Sequence, residues 1–166
     1  MIMLRRLCLF LVCLAAWPAS ATEPARFDSG SLAKIEARYA GKPFILSLWS
    51  VNWCGHCIDE LTMLGKLSKN EKTLPLVLVA VDSPEDGDAI RKTLRKLGLS
   101  HAESWVFDDP IPERLRAAID PTWQGELPRS YLYDKAHRRQ AAVGTLDEAR
   151  LKSWLEQQGQ RSGTAK

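Results

Sequence analysis

Two cysteines separated by two residues lie in the segment Trp53-Cys54-Gly55-His56-Cys57. An apolar run directly before them and leucines at helical spacing after them predict that the pair lies where a buried strand passes into a helix. A cysteine in the first turn of a helix faces free backbone N–H groups and the positive end of the helix dipole, and both favour the thiolate over the thiol. The thiolate is the nucleophile, and a CxxC setting lowers its pKa from about 8.5 to about 3.5–7.5. The motif therefore predicts thiol–disulfide exchange.

Each residue of the motif has a predicted role. Cys54 is expected to be the exposed attacking thiol, and Cys57 the buried thiol that resolves the mixed disulfide. His56 can stabilise the Cys54 thiolate by charge and hydrogen bonding, which makes the disulfide more oxidising; a solvated histidine without effect is the alternative. Trp53 is expected to shield the pair from solvent, with a merely structural aromatic as the alternative. Trp53 and Gly55 are also assigned to the substrate-binding surface.

The first 21 residues are predicted to be a secretory signal peptide and not part of the fold. Arg5 and Arg6 give a positive start, and small residues at 19–21 provide a cleavage site. The apolar run at 7–16 is shorter than the roughly 20 residues that span a bilayer. The protein is therefore expected to be exported, and an uncleaved membrane anchor is the less favoured alternative.

Removal of this segment leaves one pair of cysteines, because Cys8 and Cys13 lie within it. A bond between Cys54 and Cys57 closes a very short loop that constrains the unfolded chain little, so structural stapling is a poor explanation of the pair. Half of a zinc site is a further alternative, but structural zinc takes four ligands. The remaining histidines fall in predicted loops far along the chain. We therefore expect no metal and no cofactor beyond the redox-active disulfide itself.

Length and composition are those of one soluble globular domain. The chain has 166 residues, of which 45% are hydrophobic and 26% charged. The net charge of +3 falls to about +1 when the two arginines of the signal peptide are removed. This balance does not indicate nucleic acid or a membrane surface as partner. No heptad repeat predicts a coiled coil, and a monomer is expected.

The pattern of apolar residues predicts an α/β domain over residues 31–158. It lies between a polar lead-in at 22–30, expected to be loose, and a flexible tail at 159–166. The element order α-β-α-β-α-β-α-β-β-α describes a sheet flanked by helices with a C-terminal antiparallel hairpin. A capping box of Thr145 and Glu148 is predicted at the start of the last helix. Helices are predicted at 31–39, 54–69, 84–97, 111–119 and from 145, and strands at 44–49, 74–81, 104–107, 127–133 and 140–143.

This order, with Trp-Cys-Gly-His-Cys at the first strand–helix junction, resembles the thioredoxin superfamily, and more narrowly the exported TlpA/ResA-like thioredoxins of bacteria. Three segments within 44–158 carry the resemblance: 48–60, Leu127-Pro128 followed by a strand and Asp134, and 143–146 at the start of a helix. It implies a thioredoxin fold with a central mixed sheet and a periplasmic location. It also implies a cis peptide bond at Pro128, which packs against the cysteines. Leu127 is implied to offer its backbone to an extended substrate segment.

The sequence departs from this family at three positions. Thr62 replaces a proline that kinks the helix in many relatives, and Ser50 replaces a frequent tryptophan. Leu48 stands where thioredoxin buries an aspartate as the proton acceptor for the second thiol. Glu60, at a position where TlpA-like proteins commonly have glutamate, then becomes the candidate proton relay. A solvated glutamate without a role is the alternative.

Motif and resemblance together predict a periplasmic thiol–disulfide oxidoreductase that acts on protein disulfides or dithiols through a Cys54 mixed disulfide. The reductase direction is favoured, with electrons from a membrane thiol–disulfide donor and with apocytochrome or other protein disulfides as substrates, as in many TlpA-like relatives. A disulfide oxidase or isomerase, with a membrane acceptor, is the alternative within this class. From another class, a non-catalytic Cu(I) metallochaperone could bind metal through the two thiolates. Copper carriers of this fold usually space their cysteines by three residues, however, and Pro128 should crowd the metal.

Overall fold

The computed structural model of the protein describes residues 23–70 and 75–163; the predicted signal peptide lies outside these residues. The helices in this part of the chain are α1 (Ser31–Arg38), α2 (Gly55–Asn70), α3 (Gly87–Lys96), α4 (Pro112–Ile119) and α5 (Glu148–Gly163). The strands are β1 (Ala25–Phe27), β2 (Phe44–Trp49), β3 (Leu76–Ala80), β4 (Glu103–Phe107), β5 (Arg129–Tyr133) and β6 (Arg139–Val143). A 3-10 turn at Pro84–Asp86 leads into α3. Helix α5 thus extends into the segment predicted as a flexible tail.

The strands form one mixed sheet in the order β1-β4-β3-β2-β5-β6. The first four strands are parallel to one another, whereas β5 runs antiparallel to β2 and β6 antiparallel to β5. The α/β class and the C-terminal antiparallel hairpin are therefore confirmed. Because β5 is antiparallel to β2, the start of β5 lies beside the end of β2, and this edge of the sheet carries the cysteines.

Strand β2 is buried along its whole length because its two faces pack against different layers of helices. Ile45 and Trp49 belong to a core cluster with apolar side chains of α2, α3 and α5. Phe44, Leu46 and Leu48 belong to a second cluster with side chains of α1 and α4. The prediction of a strand covered on both faces is confirmed, and it explains why the apolar run is continuous.

The prediction that the polar lead-in is loose is wrong. Ala25–Phe27 forms strand β1 and pairs in parallel with β4 at the edge of the sheet. Phe27 is fully buried, and its ring stacks on that of Phe107 at a centroid distance of 5.6 Å. A three-residue strand with one large apolar side chain carries little local signal. It forms because β4 offers an open edge and the aromatic ring adds to the core beneath it.

The predicted capping box at the start of the last helix is also wrong. Helix α5 begins at Glu148, and the carboxylate of Asp147 accepts a hydrogen bond from the backbone N–H two residues further on, at 3.2 Å. Thr145 lies outside the helix. The reason is tertiary: Leu146 is buried, and its N–H donates to the carboxylate of Glu60 at 2.7 Å, which holds this residue out of the helix.

Candidate active site

Cys54 and Cys57 form a disulfide at the N-terminus of α2, directly beyond the end of β2. Cys54 precedes the first helical residue, Gly55, and its carbonyl accepts the N–H of Cys57 at 3.2 Å. The two Cα atoms are 5.3 Å apart. A spacing of three residues places both side chains on the same side of the first helical turn. The predicted location of the motif between a buried strand and a helix is confirmed.

The two cysteines differ in burial. Cys57 is fully buried and belongs to the core cluster under α2, whereas Cys54 is half-buried and packs at the edge of that cluster. A group from another molecule therefore meets Cys54 first. In the dithiol form, free N–H groups at the helix N-terminus stabilise a thiolate at this position. The arrangement suits an attacking thiol at Cys54 and a resolving thiol at Cys57.

A proline loop lies beside the cysteine loop. Arg129, the first residue of β5, pairs with Leu48 near the end of β2, so Pro128 lies next to the segment that leads to Cys54. The Leu127–Pro128 peptide bond is cis, Pro128 is buried and Leu127 is half-buried. Leu127 packs against the core cluster that contains Cys57. The fold thus brings together segments some 70 positions apart in the chain. The hydrogen bond from Ser130 to Glu60 joins the same two segments.

Glu60 lies one turn beyond Cys57 on the same side of α2 and is fully buried. Its Oε1 accepts hydrogen bonds from the hydroxyls of Ser47 on β2, at 2.9 Å, and Ser130 on β5, at 2.7 Å. Its Oε2 accepts the N–H of Leu146 at 2.7 Å. The alternative of a solvated glutamate is wrong, because α2 turns this side chain into the core. The carboxylate is a buried, hydrogen-bonded group one helical turn from Cys57.

His56 and Trp53 face solvent. The His56 side chain is 84% exposed, and its Nδ1 lies 3.8 Å from the carboxylate of Asp59, whose side chain is 75% exposed. Trp53 is 64% exposed and lines a cleft of about 110 Å³ together with Phe107, Arg116 and Trp123. The Trp53 ring therefore lies on the protein surface next to Cys54 and does not belong to the core. Its exposure argues against a merely structural aromatic.

Arg129 is a buried cation that the sequence analysis did not single out. It follows Pro128 directly, and its Nη2 donates to Asp120 at 2.9 Å, its Nε to the Tyr131 hydroxyl at 2.6 Å and its Nη1 to Glu126. The Tyr131 hydroxyl in turn donates to Asp120 at 2.9 Å. These bonds connect both ends of the loop that carries the cis peptide bond. Arginine pairs of this kind give no signal in the sequence, because the partner lies nine residues away on another element.

Burial raises the pKa of Asp120, but hydrogen bonds from Thr122, Tyr131 and Arg129 outweigh it and hold this pKa well below its usual range. Burial also raises the pKa of Tyr131 to about 12, so its hydroxyl remains a donor at neutral pH. The ionised carboxylate of Asp120 thus stabilises the fold above the pKa of an unfolded aspartate, about 3.9. This stabilisation is lost as the pH falls from there through the lower pKa of the folded state.

Asp120→Asn is expected to lower the free energy of unfolding by about 3 kcal/mol at pH 7, because the buried Arg129 cation then keeps only the partly exposed Glu126 as a charged partner. The difference between wild type and variant should shrink below about pH 4, where Asp120 becomes protonated in the unfolded chain but stays ionised in the folded protein. Urea unfolding at pH 7 and pH 3 measures both values. Asp88→Asn, which removes an exposed partner of Arg91, is the control and should change stability by less than about 1 kcal/mol. A difference for Asp120→Asn that does not change with pH would contradict this account.

Similar folds occur among solved structures. A secreted Mycobacterium tuberculosis disulfide oxidoreductase homologous to E. coli DsbE has a TM-score of 0.55 and 18% identity, over 73% of this chain and 85% of that one. A thiol:disulfide interchange protein of the thioredoxin family from Chlorobium tepidum has a TM-score of 0.57 and 20% identity, over 74% and 83% of the two chains. A secreted thiol-disulfide isomerase from Corynebacterium glutamicum has a TM-score of 0.51 and 18% identity, over 70% of each chain.

No protein-family profile matches the chain, and no curated protein sequence matches it significantly. The shared architecture and the element order define a thioredoxin fold. The fold predicted from the resemblance is therefore confirmed. The chain carries a CxxC disulfide at the N-terminus of the helix after β2, and this pair fits a redox dithiol.

Proposed function

We propose that this protein is a thiol–disulfide oxidoreductase that exchanges disulfides with other proteins through Cys54. The observation that carries the proposal is the disulfide at the N-terminus of α2, with Cys54 half-buried and Cys57 fully buried. This asymmetry permits the Cys54 sulfur to react with another molecule while the Cys57 sulfur stays shielded from it. The exchange needs no cofactor, because the electrons reside in the two sulfur atoms.

In the reductase direction, the Cys54 thiolate attacks one sulfur of a substrate disulfide. A mixed disulfide forms, and the first substrate sulfur leaves as a thiolate that takes a proton from solvent. Cys57 then loses its proton and attacks the Cys54 sulfur, which breaks the mixed disulfide and releases the second substrate thiolate. The substrate has gained two electrons, and the Cys54–Cys57 disulfide has formed. The oxidase direction is the reverse of these steps.

Glu60 is proposed to accept the Cys57 proton. Cys57 is fully buried, so water does not reach it freely, and the Glu60 carboxylate is one helical turn away. Hydrogen bonds from Ser47, Ser130 and Leu146 hold this carboxylate in a fixed position in the core. A proton that arrives on Glu60 needs a further step to reach solvent.

The substrate is proposed to be an extended segment that contains a cysteine. Among the described residues, neither the N–H nor the C=O of Leu127 has a hydrogen-bond partner, so both groups can pair with such a segment. The exposed Trp53 ring offers apolar surface next to Cys54 in the chain. Gly55 adds open space, because a Cβ built there meets no atom within 4 Å.

Trp53→Ala is expected to raise KM for a protein disulfide substrate about tenfold, because an exposed tryptophan next to the reactive group is a typical binding hot spot. The rate with a small disulfide such as oxidised glutathione should change little, since a small molecule needs only Cys54. Steady-state kinetics with both substrates tests this prediction. An equal loss with both substrates would instead indicate that the variant disturbs Cys54.

We further propose that the protein works in the periplasm as a reductase, supplied with electrons by a membrane thiol–disulfide donor, with apocytochromes among its candidate substrates. Two of the similar solved proteins are described as secreted. None of the helices within residues 23–70 and 75–163 is long and apolar enough to cross a bilayer. His56 bears on the direction, because a stabilised Cys54 thiolate makes the disulfide more oxidising.

The reduction potential of the cysteine pair tests both the function and its direction. Equilibration in glutathione buffers, followed by tryptophan fluorescence, is expected to give one two-electron transition. A value near −270 mV (about that of thioredoxin) supports a reductase, whereas about −120 to −180 mV supports an oxidase or isomerase. His56→Ala should then shift the potential to a more negative value. The absence of any reversible transition would contradict the oxidoreductase proposal.

A further inference from the structure

Ser50 and Asp82 meet beneath the loop that leads to Cys54. The N–H of Val81 donates to the carbonyl of Trp49 at 2.9 Å, so β2 and β3 stay paired past their ends and bring the next residues side by side. Ser50 is fully buried and Asp82 is 5% exposed. The Ser50 hydroxyl donates to Oδ1 of Asp82 at 2.7 Å. The two side chains thus form a buried hydroxyl–carboxylate pair.

This pair binds three consecutive backbone N–H groups. The N–H of Val51 donates to Oδ2 of Asp82 at 2.8 Å. Those of Asn52 and Trp53 donate to the Ser50 hydroxyl oxygen at 3.2 and 3.3 Å. The side-chain amide of Asn52 also donates to Oδ1 of Asp82, at 3.3 Å. Every residue between β2 and Cys54 is therefore held by the same two side chains.

Serine at position 50 is what makes this arrangement work. Its hydroxyl donates to the carboxylate and also accepts the two N–H groups. A tryptophan, which relatives often have at this position, offers one N–H donor and no acceptor. An indole could therefore bind the carboxylate but could not hold the backbone of Asn52 and Trp53. The departure from the family pattern at Ser50 thus coincides with a specific set of contacts in this chain.

We propose that Ser50 and Asp82 are positioning residues that shift the redox equilibrium of the Cys54–Cys57 pair toward the disulfide. The inference rests on the proposed function. Two effects act in this direction. The hydrogen bonds keep Cys54 where its sulfur can bond to that of Cys57, whereas a looser loop would favour the open dithiol. The negative charge of Asp82 also disfavours a thiolate at the end of the same loop.

The test compares the equilibrium constant with glutathione for the wild type, Asp82→Asn and Ser50→Ala. Asp82→Asn is expected to shift the equilibrium about tenfold toward the dithiol, which is about 30 mV for a two-electron couple. Ser50→Ala should shift it in the same direction. The double variant should shift it by less than the sum of the two, because both residues serve the same loop.

The matched control is Asp134→Asn. Asp134 is also a buried carboxylate that accepts backbone N–H groups, from Ala136 and Arg138, but it lies in the β5–β6 turn at the other end of the sheet. This variant should lose stability without a change in the equilibrium constant. The comparison separates a redox effect from a general loss of stability.

A second measurement keeps the test valid if Asp82→Asn folds poorly. Urea unfolding of the oxidised and the reduced protein is expected to show that Ser50→Ala destabilises the oxidised form more than the reduced form. Equal destabilisation of both forms by Ser50→Ala would overturn the inference. Equilibrium constants that stay unchanged in the variants, while the wild type shows its two-electron transition, would overturn it as well. A wild type without a two-electron transition would overturn the proposed function itself and this inference with it.

Discussion

Cys57→Ser is expected to accumulate a covalent mixed disulfide between Cys54 and a disulfide-bonded protein such as insulin. Without the second thiol, the intermediate cannot be resolved from within, and only outside thiols can release it. Non-reducing gels and mass spectrometry of the adduct measure the effect. The adduct should disappear on addition of dithiothreitol.

Cys54→Ser is the matched control for this trap. The remaining Cys57 is fully buried, so this variant should form little or no adduct under the same conditions. Similar trapping by both variants would contradict the assignment of Cys54 as the attacking thiol. If neither variant forms an adduct and the wild type binds Cu(I), the metallochaperone alternative would replace the exchange mechanism.

Glu60→Gln is expected to slow the resolution of the mixed disulfide about 100-fold at pH 7, which is the lower range of general acid–base effects. The amide cannot accept the Cys57 proton. The glutamine amide also either places its NH₂ group against the N–H of Leu146 or fails to accept the hydroxyl hydrogen bonds that Glu60 accepts. We therefore expect the variant to lose about 1–3 kcal/mol of stability as well. Stopped-flow measurement of substrate release across pH separates the formation of the mixed disulfide from its resolution.

Ser130→Ala is the matched control for Glu60→Gln. It removes one hydrogen bond to the carboxylate, at 2.7 Å in the wild type, but keeps the proton acceptor. We expect a comparable loss of stability with a much smaller loss of rate. Because the Glu60→Gln variant lacks the proton acceptor, its rate of mixed-disulfide resolution should also continue to rise with pH where the wild-type rate has levelled off. Equal slowing by both variants would mean that Glu60 serves only the structure.

The roles of the two cysteines follow from local sequence, whereas the surroundings of Glu60 do not. Helical spacing places Glu60 near Cys57, but burial depends on which elements cover that face of α2. Its partners come from β2, β5 and the loop before α5. Ser47 offered one signal in the sequence that a polar group is buried beside β2, because a serine inside a continuous apolar strand requires a polar partner.

Positions that depend on two distant segments were the ones that sequence reasoning missed. Asp82 lies beside Ser50 only because β3 pairs with β2, and Arg129 meets Asp120 only because the start of β5 lies beside the C-terminal end of α4. Strand β1 depends in the same way on the open edge of β4. In each case the local residues permit several conformations, and a partner far along the chain selects one of them.

The resemblance to the thioredoxin superfamily implied the fold. The sequence by itself determined the element order from α1 to α5 and the CxxC motif at a strand–helix junction. These features depend on the periodicity of apolar residues and on short spacings, which act over one or two turns of chain. Only the tertiary structure decided that Glu60 lies in the core and that Trp53 reaches the surface. It also decided that Ser50 and Asp82 hold the loop between them. Burial and hydrogen-bond pairing depend on contacts between distant segments, and no local pattern specifies which of the available segments will supply them.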